Sequence, residues 1–210
     1  MLLANWSDYL IVIVAVCSLL TLKINLYFKL LSCYLFVLSA LTMATVITAN
    51  YQINNFYLYH AIGFVELVFV FLLYRCLELS TSWNVLFIAT LIIYSVDSCY
   101  LIGNHIQEIN SVGHAVTMLF TIGLGMQFIW KLYREEKVEY LGHFSYFYIS
   151  AGQTLFASGA FFGYLLIARI SDEKVPAENF YHSWLIISGF AAIKSILILT
   201  GIFIGRKYAK

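Results

Sequence analysis

The segment YHAIGFVELVFVFLLYR, residues 59–75, decides the fold. It is apolar on every side of a helical wheel and ends on Arg75. A strand of a membrane barrel would instead alternate apolar and polar residues over about ten positions. A helix without a polar face has nothing to offer water, so its surroundings must be lipid or other helices. In the middle of this run stands a carboxylate, Glu66. At the helical rise it lies roughly 13 Å from Arg75, close to the centre of a bilayer.

Working outward from this segment, six further runs have spanning character. The seven predicted helices cover approximately residues 6–23, 30–48, 56–75, 84–102, 112–131, 145–168 and 180–204. The expected fold class is therefore an all-α membrane protein, a bundle of seven transmembrane helices forming a single domain over residues 1–210. Composition agrees: 62% of the residues are hydrophobic and 11% are charged. A water-soluble domain carries roughly a quarter charged residues. The single proline, Pro176, falls in a predicted loop, so proline kinks are not expected in the helices. The opening MLLANWSDYLIVIVAV lacks a basic start and a small-residue cleavage site, and reads as a retained first helix.

Loop charges give an orientation, because Lys and Arg near helix ends stay on the cytoplasmic side. Lys23, Lys29, Arg75, Lys131, Arg134, Lys137, Arg206, Lys207 and Lys210 fall on one side, and Arg169 and Lys174 on the other. This bias predicts an N-out, C-in arrangement in a bacterial inner membrane. Tyr51, Tyr57, Tyr59, Tyr133, Trp130 and Trp184 lie near helix ends, where amphipathic rings favour the membrane interface.

The formal net charge of +1 offers no surface for nucleic acid. Cys17, Cys33, Cys76 and Cys99 lie in or beside apolar runs without a metal-type spacing, and read as small hydrophobes. Neither a serine-nucleophile elbow nor a paired-histidine zinc motif occurs, so no enzyme activity is expected.

Three ionisable residues lie within the apolar runs: Glu66, Asp97 and Lys194. Such groups are costly in lipid unless they meet a partner or water. Lys194, twelve residues before Arg206, lies about as deep as Glu66, so a pair between helices three and seven is one expectation. Two readings follow: the charges pair and fix helix register, or they line a ligand pocket or proton path. His60, His105, His114 and His182 fall on the outer half, and His143 alone on the inner. No two of the outer four are spaced i, i+4, so a metal site would need several helices, and none is expected. Gln153 and Thr154 on the sixth helix are candidates for the polar core. On that helix Gly159 and Gly163 allow close helix approach, read here as packing within the bundle, and Gly123 and Gly125 suggest a second tight contact.

Three stretches carry a resemblance: INNFYLYHAIGFVE (53–66), FSYFYISAGQTLFASGAFF (144–162) and FYHSWLIISGFAAIKSILI (180–198). They resemble segments of small seven-helix integral membrane proteins of the Bacteroidota type. The matching positions are Asn54, Asn55, His60, Glu66, Gly152, Ser158, Gly159, His182 and Lys194. The resemblance carries no established activity; some members accompany sensor histidine kinases, which implies a sensory or partner-regulating role.

The expected function is a non-enzymatic sensor or receptor-like module with an outward-facing polar pocket for a small ligand, ion or proton. Glu66, Lys194, Asp97, Gln153, His60, His114 and His182 are its candidate lining. The signal would pass to a cytoplasmic or membrane partner, chiefly through Lys131–His143, whose LYREEKVEYLG offers a mixed-charge helix extension. A small proton-coupled transporter is the alternative. Further alternatives are an intramembrane metal enzyme and a retinal protein with its Schiff base on Lys194 opposite Glu66; otherwise no cofactor is expected.

Overall fold

The computed structural model describes residues 2–77, 80–104, 110–135, 141–173 and 177–208. Those residues form seven α-helices: α1 (Leu2–Ser18), α2 (Leu26–Asn50), α3 (Phe56–Arg75), α4 (Ser82–Asn104), α5 (Ser111–Glu135), α6 (Ser145–Glu173) and α7 (Ala177–Tyr208). Two short 3-10 turns, Leu19–Thr21 and Leu141–His143, complete them. The predicted elements are all present. Helix α1 starts and ends earlier than the sequence suggests, and α6 and α7 run longer at their polar ends. His105, Lys137, Lys174 and Pro176 lie outside the described residues, as do positions 136–140 of the proposed partner segment.

Asparagine side chains mark the starts of α2, α3 and α5. Asn25 adopts an extended backbone and its side chain accepts the Phe28 N–H at 3.2 Å, capping α2. Asn54 accepts the Phe56 N–H at 3.1 Å ahead of α3, after a turn in which Gln52 takes a φ of 55°. Asn110 accepts the Gly113 N–H at 2.7 Å and opens α5. These side chains satisfy helix-end N–H groups that lipid cannot.

The helices close into a ring. Helix α1 packs on α2 and α7, α2 on α3, α5 on α6 and α6 on α7. Helix α4 packs on α3 and α5, which also touch each other, so α4 sits on the outside. Its outer face carries Val85, Ile88, Ile92 and Val96, all exposed. Such a face suits hydrocarbon and is unfavourable in water.

Five helices, α2 to α5 and α7, are long and apolar enough to cross a membrane among the described residues. Helix α1 is shorter, with its apolar part at Trp6–Thr21. Helix α6 is rich in glycine and hydroxyl residues, and the reason is its packing. A Cβ at Gly152 would lie 3.1 Å from that of Leu197 and 3.2 Å from the Lys194 carbonyl oxygen. One at Gly159 would collide with the Phe190 ring, and one at Gly163 with Ile187. The small-residue stripe is therefore a seam between α6 and α7 inside the bundle. Gly123 and Gly125 are likewise filled by Trp83 and Thr154.

Candidate functional site

Glu66 and Lys194 meet. The Lys194 Nζ lies 2.5 Å from the Glu66 Oε1, with the residues 3% and 5% exposed. Helices α3 and α7 are not close neighbours in the ring, so the pair bridges its interior. Tyr34 of α2 stands between them: its hydroxyl donates to Glu66 Oε1 at 3.2 Å and accepts from Lys194 Nζ at 3.4 Å. On its other side the ammonium lies 3.9 Å from the centre of the Phe156 ring, a cation–π contact from α6. One hydroxyl, one ring and one carboxylate, from three further helices, thus hold the lysine. Gln153 reaches the neighbourhood of the Tyr34 hydroxyl, and its buried Nε2 has no hydrogen-bond partner.

A half-open cavity of about 140 Å³ rests on this pair. Five helices build it, α1, α2, α3, α6 and α7. Its floor is Glu66, Lys194, Phe156 and Ser195; Thr42, Ser188 and Ala191 form the middle of its wall. At its other end stand Asp8, Thr45, Tyr59, Tyr164 and Trp184. Tyr59 lies two helical turns before Glu66, so the cavity runs roughly 10 Å along α3. It extends toward the end of the bundle where α1, α3 and α7 begin. Below the floor, Leu31, Leu35, Leu73, Ile198 and Ile202 are packed almost without exposure.

The remaining polar candidates form a second network on α3, α4 and α5. His60 Nδ1 lies 3.2 Å from the Ser98 hydroxyl, which also accepts from Asn110 Nδ2 at 2.5 Å. The Tyr94 hydroxyl donates to the His60 carbonyl at 2.7 Å. Asp97 Oδ2 accepts the Gly113 N–H at 3.1 Å, so Asp97 acts beside Asn110 on the start of α5. His114 Nε2 lies 3.2 Å from the Tyr59 carbonyl, and its ring stacks on Tyr164 at 4.5 Å. This network ties α3 to α4 and α5.

The seven predicted residues are thus divided. Glu66 and Lys194 line the cavity and Gln153 lies next to their bridging tyrosine. His60, Asp97 and His114 do not line it, although His114 backs the Tyr164 wall. His182 is exposed at the start of α7, beside Tyr181. The single pocket expected from the sequence is therefore two separate polar groups: His60 turns to Ser98 of α4, His114 lies against Tyr59 of α3 and Tyr164 of α6, and His182 is exposed. Asp8 was the legible omission: a carboxylate within the apolar first run. Tyr34 and Phe156 had no signal, since each is one aromatic among many in an apolar helix.

No three His, Cys, Asp or Glu residues converge as a metal ion would need among the described residues. The Lys194 nitrogen is engaged by Glu66, Tyr34 and Phe156, and the half-open space beside it is about 140 Å³. No family model, no curated protein and no solved structure matches this chain.

Proposed function

We propose that the protein is a non-enzymatic receptor-like module of the bacterial inner membrane, with seven spanning helices, the N-terminus outside and the C-terminus in the cytosol. A small ligand enters the cavity between α1, α2, α3, α6 and α7 and is read by the Glu66–Lys194 pair on its floor. The observation that carries this reading is the position of that pair. It closes a cavity on one side only, at mid-depth, and joins two helices that are not close neighbours in the ring. A ligand that loosened or tightened the pair would change the spacing of α3 and α7, whose C-terminal ends carry Arg75, Arg206 and Lys207 toward the cytosolic face. The partner segment of this reading is Lys131–His143, the end of α5 and the connection to α6.

Filling the cavity tests this directly. Ala191→Phe should leave a folded protein that no longer shows ligand-induced thermal stabilisation against a small-molecule panel. If Ala191→Phe responds to the same compounds as the wild type, the cavity is not the receptor site.

Transport is the second reading, and one observation favours it. A larger space of about 620 Å³ lies at the opposite end, bounded by Lys23, Asn25, Phe28, His143, Tyr146 and Tyr208. Two spaces on opposite sides of a midpoint charge pair are what a coupled carrier would need. The packed apolar layer between them supports the receptor reading over this one. Flux into proteoliposomes separates the two.

A further inference from the structure

We infer that the cavity recognises a small organic cation, an alkyl- or methylammonium compound of no more than about ten heavy atoms, with its charged end at Asp8 beside the Tyr59–Trp184 ring pair. This deepens the receptor reading and rests on it.

The charge balance of the lining comes first. Glu66 and Lys194 neutralise each other on the floor. Asp8 is the other charged side chain in the wall, and among the described residues it has no ion-pair or hydrogen-bond partner. A half-buried carboxylate facing an otherwise neutral space attracts a cation and repels an anion.

The walls around Asp8 are aromatic. Tyr59 and Trp184 stand edge to face, 5.3 Å apart, and Tyr164 completes that side. Ring faces beside a carboxylate are the surroundings that bind ammonium groups too bulky or too apolar for a single hydrogen bond. The Lys194 ammonium over Phe156 already uses the same chemistry at the floor.

Size and secondary polarity narrow the ligand. A cavity of about 140 Å³ matches the roughly 150 Å³ space that holds a benzene. Thr42 and Ser188 line the cavity between Asp8 and the charge pair, where their hydroxyls suit a ligand with a hydroxyl on a short chain. A ligand carrying a carboxylate would find its cationic partner, Lys194, already occupied by Glu66.

The test uses full-length protein in lipid nanodiscs, with choline and tetramethylammonium as cations and the uncharged choline isostere, carbon replacing nitrogen, as control. Both cations should bind saturably by calorimetry, and the isostere at least about tenfold more weakly. Asp8→Asn should lose about tenfold or more in choline affinity, and Trp184→Leu a comparable amount. Should Asp8→Asn fail to fold, the charge of the site is still readable at Ser188→Cys, with the parent protein as the baseline for its native thiols. Cationic thiosulfonates should modify it about tenfold faster than anionic ones. Equal rates for cationic, neutral and anionic reagents, or equal binding of choline and its isostere, would overturn the cation assignment while leaving an accessible receptor cavity. No reaction with any reagent would overturn the receptor reading itself.

Discussion

Lys194 on α7 and Glu66 on α3 form a buried ion pair across the interior of the helical ring, with the Tyr34 hydroxyl touching both charges. The contact is 2.5 Å long and joins residues 128 positions apart in sequence. Neither charge could remain in this apolar layer without the other, because hydrocarbon offers no substitute for water.

Breaking the pair from one side should therefore be severe. Glu66→Gln or Lys194→Met alone is expected to lower stability by about 3–5 kcal/mol. The double variant, with both charges gone, should regain most of that loss. Unfolding in detergent, followed for all four proteins, gives the coupling energy. A double variant as weak as the sum of the singles would mean that the two residues act independently.

The cap network on α5 predicts a structural defect separable from the cavity. Asn110→Ala removes a bond to the Gly113 N–H and two to α4, at Ser98 and the Tyr94 carbonyl. We expect a loss of about 2 kcal/mol. Choline affinity of the folded fraction should remain within about twofold of the wild type. A large affinity change would show that this network and the cavity are energetically linked.

Packing between α6 and α7 gives a third expectation. Gly159→Ala places a methyl group into the Phe190 ring and should cost about 1–3 kcal/mol. Combining it with Phe190→Leu should recover part of the loss by vacating the same volume. No recovery would indicate that the seam tolerates Gly159→Ala by some other movement, such as a rotation of α6.

The proposed orientation is open to a simple reporter assay. With an odd number of crossings the termini lie on opposite sides of the membrane. A fluorescent protein fused after the C-terminus should fold and glow, whereas a phosphatase that works only outside the cytosol should be inactive there. Active phosphatase at the C-terminus would reverse the orientation, and with it the side from which the cavity is reached.

The sequence by itself determined the class of fold and the position of most helices. Apolar runs such as residues 59–75 leave no alternative to a helix in lipid, because backbone groups there can pair only along the chain. It also placed Glu66 and Lys194 at matching depth, since depth follows directly from helical rise. Only the tertiary structure decided how each helix is rotated and which faces meet. An apolar helix has almost no amphipathic stripe to reveal its inner side, so the sequence grouped Asp97, His60 and His114 with the charge pair by depth alone. Rotation instead took them away from the pair and brought Asp8, Tyr59 and Phe156, from three different helices, to the cavity, with Tyr34 of a fourth on the charge pair. Those contacts are long-range, and depth fixes only one of the three coordinates a binding site needs.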